Sequence, residues 1–495
     1  MLNKVVFDLD KLNLASIAPM ALLIAFAVAI ICLSVINKNL SKKFYTSISI
    51  LALLLDFGLV SGYSGGFRGF FNLLLVDGVA ILSMLIILLA SAFFIALALC
   101  AKEYEEYEKP EFYALFLFMI AGYQFMVSSD SLILIFVGLE TSSLALYTLI
   151  ALRNNNFAVE AALKYFTMGA LSAGFFAFGG AMFYLVTGSV EIHAIASIIK
   201  GSSIQESMSL YVACLLLIAS IGFKISLIPF HTWLTDVYEG SNAALAGFIS
   251  IVPKVAAFVV ALRLFNALMM SGVFWVEIVL YVIAVLTMSI ANVAALVQKD
   301  VKRMLAFSSV SHAGFLLAAI VIGTTQASVG LFLYWIMFVF ANLGAFTMLW
   351  VTHNNGKIWD DRFEYPYEKF SGLIKLAPCA AIMMAIFMLS LAGIPPFSVF
   401  WGKMYLMSAA VNSGFVILAV IMAVNSAIAL YYYLRVVVEM FLKEPIVKDS
   451  KLYSENLSNT LKYILALCAV LCVIAPIVVK FILPQIYDMV IFSGF

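Results

Sequence analysis

The stretch Ile221-Gly-Phe-Lys-Ile-Ser-Leu-Ile-Pro-Phe-His-Thr-Trp-Leu-Thr-Asp-Val-Tyr-Glu-Gly240 sets a lysine, Lys224, inside an apolar run long enough to cross a bilayer. Five residues on, Pro229 removes a backbone donor, and His231 follows. A cation at the centre of a membrane helix costs roughly 2.5–3.5 kcal/mol on insertion scales, so such a residue is a functional candidate by default. The proline frees backbone groups that only surrounding protein or a hydrated cavity can satisfy. The stretch therefore predicts an interrupted membrane helix carrying a titratable group, with partners supplied by the rest of the chain.

Composition agrees. Of 495 residues 65% are hydrophobic and only 11% charged, and the mean hydropathy is +1.10. Water-soluble domains are not built this way, so the chain reads as a single polytopic membrane domain. A net charge of +1 gives no argument for nucleic acid. The six cysteines lie in or beside apolar runs without a Cys-x-x-Cys pair, which argues against iron–sulfur ligation, and Cys468 and Cys472, one helical turn apart in the last span, read as buried thiols. The first apolar run, Leu14 to Ile36, is too long for a signal-peptide core and reads as a first span.

Outward from span 7, apolar runs of membrane length fall near 14–36, 44–61, 74–100, 112–128, 131–152, 162–187, 209–237, 242–265, 273–297, 304–323, 326–351, 376–410, 415–441 and 461–483. That predicts an all-α protein of about fourteen spans. Loop charge supports the count. Seventeen lysines and arginines fall in connections on one side; only Lys4, Lys11, Arg68, Lys200, Arg263 and Lys480 fall on the other. The basic side is expected to be cytoplasmic, with both termini on the periplasmic side of a bacterial inner membrane.

Span 12 echoes span 7. Gly393-Ile-Pro-Pro-Phe-Ser-Val-Phe-Trp-Gly-Lys403 again sets Pro-Phe, Trp and Lys around a break, with the lysine after it rather than before. Breaks five spans apart lie in oppositely running segments. This points to two inverted five-helix repeats, residues 112–265 and 273–441, flanked by helices 1–3 (14–100) and helix 14 (461–483). Interrupted helices at matching positions are the best sequence pointer to a transport site.

The other intramembrane charges are its candidate partners. Glu140 sits mid-span in Ile135-Phe-Val-Gly-Leu-Glu-Thr-Ser-Ser and is expected to pair with Lys224, either as a proton-sensitive switch or as a static assembly contact. Lys254 follows Pro253 deep in span 8, and Lys403 lies about midway along span 12. Lysine suits a relay because desolvation can strip its proton, whereas arginine stays charged; Arg435 is accordingly read as structural. Lys164 lies nearer the start of span 6, where snorkelling competes. His231 could shuttle protons or simply bond backbone at the break. Lys302-Arg303 read as topology anchors, and His312 as a packing residue. Gly62-Tyr-Ser-Gly-Gly-Phe-Arg-Gly69 is expected to be a flexible loop rather than a phosphate cradle.

Taken together, Gly222–Gly240, Lys302-Arg-Met-Leu-Ala-Phe-Ser-Ser-Val-Ser-His-Ala-Gly314 and Ala392–Tyr405 resemble the antiporter-like membrane subunits of respiratory complex I and related cation/proton antiporters. The resemblance covers essentially the whole chain. It departs at Ser241-Asn-Ala-Ala, where the family usually has Ala-Pro-Thr, and at Thr235, a usual proline. It implies a proton-translocating module that binds no cofactor, while NADH or another donor, iron–sulfur clusters and quinone are used by other subunits. Glu140 and Lys224 would form the coupling pair, Lys254 the central relay and Lys403 the far-end donor or acceptor, with Lys164 and His231 accessory. Implied partners are a neighbouring antiporter-like subunit, small membrane subunits and lipid. The competing readings are a free-standing or Mrp-type antiporter, or one associated with a hydrogenase, and a structural membrane anchor.

Overall fold

The computed structural model describes residues 12–100, 105–352, 364–446 and 458–494. Several cations used in the loop-charge argument (Lys4, Lys11, Lys102, Lys357, Arg362, Lys448, Lys451) and both chain termini lie outside these residues.

The molecule is an integral, multi-pass helical membrane protein. Thirteen helical segments among the described residues are long and apolar enough to cross a bilayer. Spans 1–6 are Ala18–Ile36, Lys42–Ser61, Gly78–Ala98, Pro110–Val127, Leu132–Ala151 and Asn156–Thr187. A short helix, Ile192–Lys200, then runs before span 7. Span 7 is broken into Met208–Ile225 and Thr232–Gly240, and span 12 into Pro378–Ala392 and Ser398–Asn412, at the two prolines sites read from the sequence. Spans 9, 10, 11 and 13 are Trp275–Leu296, Val301–Ile322, Thr325–Met348 and Val416–Leu442.

Two further interruptions were not expected. Span 8 is jointed at Ser250–Ile251, between Ala243–Ile249 and Val252–Met270, two residues before Pro253. The last span is a pair, Asn459–Val473 and Ala475–Phe492, longer than the 461–483 run because Ile491 and Phe492 carry its exposed apolar surface beyond Pro484. Its end packs on span 3: a Cβ at Gly78 would lie 2.1 Å from the Met489 carbonyl oxygen. The Ser493 hydroxyl accepts the Val79 N–H at 2.8 Å. Leu12 and Gly494 therefore share one membrane face, called here the terminal face. The Gly62–Gly69 loop is ordered into an antiparallel hairpin, Phe67–Gly69 with Leu74–Val76, anchored by burial of Leu74 and Val76.

The two halves pack alike. Span 4 lies along span 5, as span 9 lies along span 10; span 6 lies against span 7, as span 11 lies against span 12. The first pairing needs small residues, since a Cβ at Gly138 would sit 2.6 Å from the Gly122 carbonyl oxygen. In the second, Gly314 lets span 10 approach Met288. Span 8 is buried along its whole length and spans 10 and 11 nearly so, whereas span 6 turns most of its surface outward. The core thus sits where the two halves meet.

Candidate functional site

Three lysines, each beside a helix interruption, lie buried in this core: Lys224, Lys254 and Lys403. At span 7 the chain leaves the helix through Ser226, whose positive φ of 62° turns the backbone aside. The break frees carbonyls, and the structure pairs them. Trp233 donates its indole N–H to the Phe223 carbonyl at 3.0 Å, and the Leu227 N–H reaches the Gly222 carbonyl at 2.8 Å. The Ile228 N–H bonds the Thr287 hydroxyl of span 9 at 3.1 Å. Trp233 is itself stacked on Tyr165, with ring centroids 4.3 Å apart. His231 stands half-buried at the start of the second half-helix.

Lys224 donates to the Ser143 hydroxyl at 2.6 Å and faces the rings of Tyr147 and Tyr165 at 5.7 Å. The direct ion pair with Glu140 is not formed among the described residues. Ser143, three residues on from Glu140 along span 5, points inward to the ammonium. Glu140 is only half-buried, on the same side of the helix as exposed Val137 and Leu144. The ammonium and the carboxylate therefore interact across space without a direct ion pair, and the Ser143 hydroxyl that accepts from Lys224 donates its own proton to the Leu139 carbonyl.

Lys254 donates to both the hydroxyl (2.7 Å) and the carbonyl (3.0 Å) of Ser309 in span 10. At the neighbouring Ser308 a separate polar chain begins. The Tyr433 hydroxyl of span 13 bonds both Ser308 and His312 Nε2, the latter at 3.0 Å. His312 Nδ1 bonds the Tyr334 hydroxyl of span 11. His312 lies within electrostatic reach of both Lys254 and Lys403. Beyond it, Lys403 bends back across its own break and donates to the carbonyls of Leu391 (3.2 Å) and Ala392 (3.0 Å), its ammonium 5.3 Å from the Phe315 ring centre. Gly393 makes this possible: a Cβ there would lie 2.9 Å from Lys403 Cδ.

His312 was read from sequence as packing, yet it occupies the middle of the polar chain. The signal was the spacing of Ser308 and His312, four residues apart on one helix face, beside Ser309. Lys164, by contrast, stands outside the row. It is half-exposed and bonds Glu160 (2.8 Å) and Asp236 (3.0 Å). Lys302 is more than an anchor: it is buried, with its ammonium on the Glu239 and Ser241 carbonyls and on Glu364. It thereby caps the end of the second half of span 7, a favourable place for a cation. Arg435 stacks on Tyr367 at 3.9 Å and donates to the Gln298 carbonyl. Asn242, one of the departures from the family pattern, caps the helix Ala243–Ile249 and bonds Glu106, so polar contacts hold the connection into span 8.

Residues 129–429, which contain Glu140 and the whole lysine row, match the family model for the transmembrane region of NADH:quinone oxidoreductases and Mrp antiporters. NADH-quinone oxidoreductase subunit N of Campylobacter hominis is 58% identical over 479 residues, 97% of this chain and 98% of its own length. The chain belongs to the NADH-quinone oxidoreductase subunit N family. Among solved structures, a chain of respiratory complex I from Thermus thermophilus superposes with a TM-score of 0.78 at 30% identity, covering 94% of this chain and 98% of that one. A chain of the Mrp complex from Dietzia sp. superposes at 0.81 with 19% identity and 97% of each chain covered, a likeness of fold alone. The Asp236-Val-Tyr-Glu-Gly240 run, typical of subunit N, forms most of the second half of span 7.

Proposed function

We propose that this chain is a proton-translocating membrane subunit of a complex I-type NADH:quinone oxidoreductase, pumping without redox chemistry of its own. The observation that carries the reading is the row itself. Three buried lysines stand at helix breaks, and a chain of hydroxyls around the His312 imidazole lies between the last two without bonding either among the described residues. A change of charge along this row, driven by quinone reduction elsewhere in the complex, would pass protons from the cytoplasmic side to the periplasmic side. Glu140 and Lys224 would couple the row to a neighbour through their mutual charge interaction. Lys254 and Lys403 would carry the proton, with His312 between them, while Lys164 and His231 would act as accessories. NADH, iron–sulfur clusters and quinone would belong to other subunits.

The partner face of this reading is the outward surface of spans 5 and 6. It bears Glu140 and the Glu160–Lys164–Asp236 cluster beside exposed Leu163 and Leu171. Charges on an outward membrane surface are costly against lipid, which supports a neighbouring membrane subunit there. The loop-charge bias supports a bacterial inner membrane with the terminal face periplasmic.

The test is Lys254→Met in inside-out membrane vesicles, with proton uptake followed during quinone reduction. Uptake should fall to background in a normally assembled complex. Undiminished uptake would leave only a structural role. Uptake driven by a sodium gradient without an electron donor would favour an Mrp-type antiporter instead.

A further inference from the structure

On the terminal face, a cavity of about 210 Å³ opens between the short helix Ile192–Lys200 and the end of span 8. Its lining includes His193, Lys200, Arg263, Asn266 and Ser271, with Ser493 from the chain's last turn. We propose that this cavity binds a phosphate group, with the headgroup phosphate of a membrane lipid as the occupant that its surroundings favour.

Among the described residues, the polar groups that line the cavity are cationic or neutral, with no carboxylate. At its base Arg263 is held rigidly: both terminal nitrogens donate to Asp77, at 2.9 and 2.6 Å, and one also reaches the Val127 carbonyl. That leaves Nε, which is buried with no partner. Asn266 is also buried, with Oδ1 unpaired, and an amide can turn to present its N–H₂ to an anion. Two of the lining residues thus each keep an unmet buried polar atom next to the cavity, a deficit that an occupant drawing these side chains inward would remove. Lys200 and His193 stand exposed at the rim, and Asp130 holds His193 through Nδ1 at 2.7 Å, leaving Nε2 for the cavity.

The surroundings favour a lipid over a free ion. The helix Ile192–Lys200 buries Ile192, Ile195 and Ile199 against the protein while leaving Ser197, Ile198 and Lys200 exposed, a cation beside an apolar side chain at the membrane face. Beside the cavity, Met270 and Phe274 are 75% and 68% exposed, an apolar surface on which acyl chains can lie. The adjoining larger cavity is lined by Glu277, which would repel an anion and confines the phosphate to the smaller one.

The test uses the protein in its native complex, with a photoactivatable phosphatidylglycerol added to detergent-purified material and labelling mapped by peptide. Label should concentrate on peptides containing Ile198, Met270 and Phe274. It should fall about tenfold in Lys200→Glu, a charge reversal at the rim, and again in Asn266→Asp. Lys200 is exposed, so its variant should fold normally. Loss of label on adding millimolar inorganic phosphate would assign the site to the free ion and overturn the lipid. Equal labelling of wild type and both variants would overturn the site itself. The readout is binding, so it does not depend on whether the chain pumps.

Discussion

Spans 7 and 12 solve one problem in opposite ways. Each is broken within the membrane and each carries a lysine beside the break, yet the freed carbonyls find different partners. In span 7 the Trp233 indole and backbone N–H groups take them, so the Lys224 ammonium turns instead to the Ser143 hydroxyl. In span 12 Lys403 is itself the cap, bonded to Leu391 and Ala392, while Trp401 bonds only the exposed Pro396 carbonyl. A carbonyl is a fixed acceptor, whereas a hydroxyl can both give and take a proton. Lys224 is thus wired to a group that can change roles, and Lys403 to groups that cannot. On the proposed reading, the same motif would serve as a switch in one half and as a terminus in the other.

Removing the lysines should separate the two most sharply. Both Lys403→Met and Lys224→Met are expected to abolish proton uptake. Only Lys403→Met strips partners from buried carbonyls, and it should cost about 1–3 kcal/mol of stability, read as a lower melting temperature of the complex. Equal melting of the two variants would erase the distinction. Next in size, Lys224→Arg fixes the charge that a switch must lose; the complex should assemble and pump poorly, and full pumping would refute switching at this position. Ser143→Ala removes the hydroxyl that accepts from Lys224 while leaving the lysine and Glu140 charges in place. Uptake should drop about tenfold, within the usual range for losing a proton-transfer partner, and Ser143→Thr should restore it. The smallest effect belongs to the indoles. Trp233→Phe should destabilise by about 1 kcal/mol, because the Ser226 N–H still serves the Phe223 carbonyl. Trp401→Phe should change little, since Pro396 faces outward; reversed magnitudes would mean the caps are misassigned.

Much of this was legible in the sequence because membrane helices announce themselves by length and prolines by position. Pro229 and Pro395-Pro396 mark both long breaks, and the buried lysines stand out against an apolar background. What stayed hidden depends on which way a side chain faces. Glu140 and Ser143 are both mid-span, but only packing of spans 5, 6 and 7 turns the serine inward and the glutamate outward. His312 looks like any histidine among small residues until Tyr334 and Tyr433, more than twenty and one hundred residues away, close on it. The joint at Ser250–Ile251 has its proline on the far side, at the second position of the next helix, where proline is tolerated without a break. The Phe67–Val76 hairpin is too short for alternation to show.

The inverted halves have a consequence for the electrical work of transport. Although spans 7 and 12 run in opposite directions, both lysines fall in the half-helix toward the terminal face. Lys224 lies sixteen residues from the terminal-face end of its helix and Lys254 sixteen from the end of its own, roughly 24 Å in each case. The Lys403 ammonium sits at the break, beyond a half-helix that rises roughly 21 Å. The three charges therefore share nearly one depth. A proton handed along such a row travels parallel to the bilayer and crosses almost none of the membrane potential. The voltage then acts only on the legs that bring the proton in and let it out.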